Sequence, residues 1–165
     1  MVYEMTGGSL AASMVLRPAT AGDARRIYNW RNDPWIVALS SSGRTVSWKE
    51  HEKWLRGLLA SPEHLLFIIE AAGTGAGTVR LDRRLGGRAV VTIYLLREFT
   101  GKGLGPRALE EGCAQGFSRW PIAAIHAYIR SDNKPSLTAF SRAGFTAIST
   151  ADCPPDHEEM MLHRP

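Results

Sequence analysis

The segment Thr100-Gly101-Lys102-Gly103-Leu104-Gly105 constrains this chain more than any other stretch. It separates an apolar run with strand character, Ala89 to Leu96, from a helical pattern over Leu104 to Trp120. Glycines at 101, 103 and 105 remove side chains and permit unusual backbone angles. At a strand-to-helix junction they can gather several backbone N–H groups at the positive end of a helix, a geometry that holds a phosphate without any side chain. A plain tight turn is the competing explanation for such a loop taken alone.

A chain of 165 residues, 44% of them hydrophobic, can bury one core. The expectation is a single domain over residues 12–165 behind a flexible extension of residues 1–11, frayed at Gly7-Gly8-Ser9. No stretch approaches the ~18 continuous apolar residues of a membrane span, and Met1-Val2-Tyr3-Glu4 lacks the features of a secretion signal. These features predict a cytoplasmic protein without a membrane partner. Cys113 and Cys153 have no metal-like spacing and read as reduced thiols, with Cys113 on the apolar stripe of the helix after the loop. The formal charge of +4 favours anionic ligands, yet basic residues are interspersed with acidic ones, which argues against nucleic acid.

Periodicity places a first strand at Met14 to Leu16 and a helix over Asp23 to Trp30 with Ala24, Ile27 and Tyr28 inward, followed by a polar loop. Ser47-Trp48-Lys49-Glu50 is a capping-box signature opening a helix through Leu59, packed by Trp48, Leu55, Leu58 and Leu59. Leu65 to Glu70, Gly77 to Asp82 and Ala89 to Leu96 form a meander, turning at Gly73-Thr74-Gly75 and Gly86-Gly87. After the glycine loop and its helix comes a strand over Ile122 to Ile129, which makes a strand–helix–strand crossover. A helix over Pro135 to Arg142 exits at Gly144, and Phe145 to Ser149 pairs with Glu159 to His163. The fold class is therefore α/β, a mixed central sheet flanked by helices.

In this order of elements, the Gly103-Leu104-Gly105 loop is followed by Ser131-Asp132-Asn133-Lys134-Pro135-Ser136 and by Phe140-Ser141-Arg142-Ala143-Gly144-Phe145. With these motifs the chain resembles the GNAT acetyltransferase superfamily from about Leu16 to His163. Trp30-Arg31-Asn32-Asp33-Pro34 with Trp48-Lys49-Glu50-His51-Glu52-Lys53-Trp54 looks like the branch that acetylates amino groups on nucleotide-linked sugars. Related openings occur in ribosomal-protein N-terminal acetyltransferases.

The resemblance implies the GNAT fold, acetyl-CoA as cofactor, and transfer of acetyl to a primary amine. It implies that residues 100–105 bind the pyrophosphate: Thr100, Gly101, Lys102, Gly103, Leu104 and Gly105. Thr100 departs from the Arg or Gln more common in the family, and Lys102 is either a phosphate contact or a solvent-facing residue. Amides near Thr92, Ile93, Tyr94 and Leu95 match the splayed strand that stabilises charge on the thioester oxygen. Asn133 and Ser136 match positions along the cofactor arm, though both also suit a helix cap. Phe140 stands beside the cofactor where many members carry Tyr, and it cannot supply the proton for the departing thiolate.

For the base, the candidates are His126 and Asp82, with Glu98 a weaker one. Tyr128 stands where protein N-terminal acetyltransferases often carry Glu, and it shares a face with His126 by strand alternation. A satisfied sheet histidine explains His126 equally well. Trp30, Arg31, Asn32 and His51, with Tyr128, make up the acceptor set, although core packing or surface exposure accounts for Trp30, Trp54 and Arg31 too. The partners expected are acetyl-CoA and a small-molecule amine, foremost a nucleotide-linked amino sugar, with a homodimer possible and no metal. Acetylation of a protein amine is the enzymatic alternative, and a noncatalytic acetyl-CoA-binding module is the other.

Overall fold

The computed structural model describes residues 7–165. Seven strands form one sheet: β1 (Met14–Pro18), β2 (His64–Ala71), β3 (Thr74–Arg84), β4 (Arg88–Leu95), β5 (Ala124–Arg130), β6 (Thr146–Ile148) and β7 (His157–His163). Their order is β1-β2-β3-β4-β5-β7-β6, antiparallel except for the parallel β4–β5 pair. The helices are α1 (Gly7–Ala12), α2 (Ala24–Arg31), α3 (Pro34–Leu39), α4 (Trp48–Ala60), α5 (Leu104–Arg119) and α6 (Lys134–Arg142). This is the mixed α/β architecture expected, with the meander in β2–β4 and α5 as the crossover between β4 and β5.

Two apolar layers sandwich the sheet. On one face Val79, Leu81, Ala89, Val91, Ile125 and Ala127 meet Leu104, Ala108, Leu109, Cys113 and Phe117 of α5. Helix α5 comes close because Gly112 and Gly116 lack side chains; a Cβ at either would stand 2.8 Å from Val79 or Leu81. Cys113 is a core residue, its thiol pushed up to about 12 by burial. On the other face Leu66 and Ile68 meet Ile27 of α2 and Leu55 and Leu58 of α4.

Local chemistry explains most boundaries. The Ser47 hydroxyl accepts from the Glu50 amide while the Glu50 carboxylate accepts from the Ser47 amide, closing the capping box of α4. The β2–β3 turn is the two-residue Ala72-Gly73, both at positive φ, so Thr74 and Gly75 belong to β3 rather than to the turn.

Three further expectations need correction. Residues Gly7–Ala12 are helical rather than frayed, because Leu10 and Ala11 pack against the core and the Arg107 guanidinium donates to the Ala11 carbonyl; residues 1–6 of the expected extension lie outside the described residues. The polar loop after α2 contains α3, which Asp33 caps by accepting from the Trp35 amide, with Pro34 at its first position. Leu59 is exposed, since α4 turns Leu55 and Leu58 inward.

Candidate active site

Every residue on β4 from Arg88 to Leu95 pairs with β3, whereas its pairing with β5 stops at Val90 opposite His126. Beyond that rung the two strands part. The Leu96 amide donates to Ala76 on the β3 side, so strand alternation turns the Thr92 and Tyr94 amides toward β3 and the Ile93 and Leu95 amides into the gap. The gap thus presents main-chain donors that sheet pairing does not use, from two of the four expected residues. Tyr94 faces away: its hydroxyl is buried and its pKa is pushed up to about 12 by burial.

At the end of that gap the chain enters the glycine loop. Gly101 and Gly103 lie at φ +71° and +78°, and Gly103 is the residue before the first turn of α5. The amides of residues 101–105 donate to no described residue, so they remain available at the positive end of a 16-residue helix. These donors fit a pyrophosphate. Side chains contribute less than expected here. The Thr100 hydroxyl donates to the Arg97 carbonyl at 2.7 Å, closing the turn Arg97–Phe99. Lys102 is exposed, the Leu104 side chain is in the core, and a Cβ on Gly105 would stand 3.4 Å from Ala139 of α6.

The Asn133 side-chain oxygen accepts from the Ser136 amide at 3.2 Å and caps α6. Phe140 is buried edge-to-face on Phe145, 5.0 Å between centroids, so it packs α6 onto the sheet.

His126 lies on the face opposite α5, at the last rung before β4 and β5 part. Its Nδ1–H donates to Glu159 at 2.8 Å, and the Thr150 hydroxyl donates to the other carboxylate oxygen. Glu159 is 1% exposed. Burial raises its pKa, but the hydrogen bonds from Thr150 and His126 outweigh burial and hold the carboxyl below its usual range. The carboxylate on Nδ1 orients the ring, and Nε2 has no partner among the described residues. Tyr128, two residues along, has its phenol pushed up by burial and by Glu159, so it is a neutral donor.

Asp82 occupies the same rung, with Val90 between it and His126. It is buried and held by His64 Nδ1 at 2.7 Å, Arg80 at 3.1 Å and Arg84 at 3.7 Å. Its carboxylate is thus already engaged by neighbouring side chains, whereas His126 keeps one ring nitrogen without a partner among the described residues. Glu98 sits exposed in the turn before the glycine loop.

The acceptor set is redistributed as well. Arg31 donates to the Arg44 carbonyl and to Ser42, and the Asn32 side chain exchanges hydrogen bonds with Val46, so both staple the α3–α4 loop. Trp30 lies over Gly75, where a Cβ would approach its ring to 2.7 Å. His51 is buried and donates to the Ala24 carbonyl at 2.8 Å; burial lowers its pKa and keeps it neutral. Of the five, Tyr128 stays beside His126. Not singled out by the sequence are Glu159, which meets His126 across 33 residues of chain, its partner Thr150, and the Arg80 and His64 partners of Asp82.

The chain matches the acetyltransferase (GNAT) domain family over residues 13–146, and it belongs to that family. It is an acetyl-CoA-dependent N-acetyltransferase. Among solved structures, a spermidine N-acetyltransferase from Vibrio cholerae, in complex with CoA and spermine, is similar at 19% identity and a TM-score of 0.79, covering 92% of this chain and 96% of that one. The aminoglycoside acetyltransferase AAC(6')-Ib with coenzyme A reaches 21% and 0.79, with 92% and 95% covered. The ribosomal L7/L12 α-N-protein acetyltransferase RimL in complex with coenzyme A reaches 18% and 0.76, with 94% and 95% covered. At such identities the likeness shows the fold. No curated protein matches the sequence. Among the described residues no helix is long and apolar enough to cross a membrane.

Proposed function

We propose that the acceptor is the primary amine of a nucleotide-linked amino sugar and that His126, held by Glu159, accepts its proton. The observation that carries the acceptor is the charge of the face around His126. Its two buried carboxylates are both engaged, Glu159 by His126 and Thr150, and Asp82 by two arginines and a histidine. A polycationic amine would find no free carboxylate there, whereas an anionic acceptor meets a cationic surplus. The motifs around Trp30 and Trp48 support the same branch.

Bound acetyl-CoA supplies an activated acetyl thioester. Amides of residues 101–105 hold its phosphates, and the Ile93 and Leu95 amides reach into the gap between β4 and β5 as preorganised donors. An amine arrives largely as ammonium near neutral pH and must lose a proton to attack. His126 Nε2 takes that proton, and the Glu159 carboxylate stabilises the imidazolium across the Nδ1–H bond. Tyr128 remains a neutral phenol that can hydrogen-bond the acceptor.

The test is an acetyl-transfer assay comparing a UDP-linked 4-amino sugar with spermine and with short peptides bearing a free N-terminus. The nucleotide-linked sugar is expected to give the highest kcat/KM. Preferential turnover of peptide or polyamine would overturn the acceptor.

A further inference from the structure

A cavity of about 580 Å³ opens between α4 and the C-terminal half of β3. Its chemistry is unlike that of the glycine loop. Lys53, Arg80 and Arg84 stand against Glu50 and Asp82, a surplus of one positive charge before His64 is counted. The Glu50 carboxylate accepts from Ser47 in the capping box, and Asp82 is buried under its cations. Trp54 lines the same cavity and is 39% exposed on a helix that buries its neighbours Leu55 and Leu58. The Arg80 guanidinium lies 5.8 Å from its ring centroid.

We infer that this cavity binds a nucleoside diphosphate, the base stacking on Trp54 and the phosphates meeting Arg80 and Arg84. The inference rests on the acceptor reading above and assigns the acceptor's nucleotide end a place. Inorganic phosphate alone would leave the part-exposed Trp54 indole without a role, and an apolar ligand would cover the cavity's net positive charge without compensating it. The volume lies within the range of small-ligand sites. The location also matches. Asp82, Val90 and His126 share one rung of the sheet and one face, so two strand spacings, about 10 Å, separate the backbone beside the cations from the backbone of the base. A sugar ring laid across Val90 would place its amine at His126 and its diphosphate at Arg80.

Calorimetric titration of CoA-saturated protein with UDP, uridine and inorganic phosphate tests this, because saturation fills the glycine loop and removes it as a nucleotide site. UDP is expected to bind more tightly than either fragment. Trp54→Ala should weaken UDP about tenfold through lost stacking. Arg84→Gln should weaken UDP by about tenfold and flatten its salt dependence. Both side chains are exposed enough to be replaced without opening the core, and thermal melting with CoA checks the fold. No uptake of UDP, equal affinity for UDP and phosphate, or unchanged affinity in both variants would overturn the assignment. UDP binding that responds to both variants, together with preferred acetylation of peptides, would uphold the cavity and sink the acceptor instead. Turnover of the nucleotide-linked sugar with UDP affinity indifferent to both variants would do the reverse.

Discussion

The two faces of the sheet bury different kinds of groups. The face under α5 is apolar throughout, from Val79 to Phe117, and beside it the main-chain amides at residues 93, 95 and 101–105 have no partner among the described residues. The α2–α4 side, opposite, holds the buried polar residues described: Asp23, His51, Thr78, Asp82, His126 and Glu159. On the function proposed above, cofactor binding rests on backbone geometry, which tolerates side-chain change, while proton handling and acceptor choice rest on specific side chains in charged pairs. Substitutions should therefore act in opposite ways on the two faces.

The sharpest break should come at His126. His126→Ala removes the histidine that stands where β4 and β5 part, and kcat/KM should fall about a hundred- to ten-thousandfold. Affinity for CoA should stay within about twofold, because the amides of the other face do not depend on it. Glu159→Gln should cause a smaller loss and change the pH–rate profile, since the imidazolium loses its stabilising charge. Loss of CoA binding in His126→Ala would show that the faces are not separable.

The glycine loop gives the converse test. Gly103 sits at φ +78°, where a β-branched residue is strained by about 1–2 kcal/mol, and its Cβ would point toward Ala11 at 3.7 Å. Gly103→Val should weaken CoA binding at least about tenfold, read by calorimetry. Thr100→Ala should change it less than about twofold, because the hydroxyl is turned to the Arg97 carbonyl. Equal losses in the two variants would mean that the loop grips through side chains after all.

The same division explains what could be read from the sequence. Glycine spacing, the capping box at Ser47 and the alternation in β2–β5 are local signals, so the crossover, the glycine loop and the sheet are legible. Main-chain function leaves its mark in which side chains are missing. The acceptor face left no such mark. Arg31 and Asn32 have suitable chemistry for an acceptor, yet the carbonyls of Arg44 and Val46 claim them, and that loop geometry is set by tertiary packing. His126 could be named from its type and strand position, but its partner Glu159 lies on β7, brought alongside by sheet order. Helix α3 spans six residues, too few for its periodicity to stand out, although Asp33-Pro34 is a start signal.

Acid offers the smallest effect and a further contrast. Arg17 donates to both oxygens of Asp23, at 2.8 and 2.9 Å, and to Glu70 at 2.7 Å, joining β1 to the start of α2 and to β2. Those hydrogen bonds outweigh burial and hold Asp23 at about 2, below its ordinary value of 3.8. With the folded pKa below the unfolded one, the stabilisation is fully present above about pH 4 and disappears as pH falls through 2. It amounts to about 2 kcal/mol at most, because Arg17 remains one-third exposed and screened by solvent. Urea unfolding at pH 5 and at pH 2 should therefore show a loss for the native chain larger by about that amount than for Asp23→Asn, which has no proton to take up at this position. The α5 face buries no carboxylate among the described residues, so acid should act through the opposite side of the sheet. Parallel losses in the two proteins would show that Asp23 carries no such coupling and that the side-chain-built half is not where acid strikes.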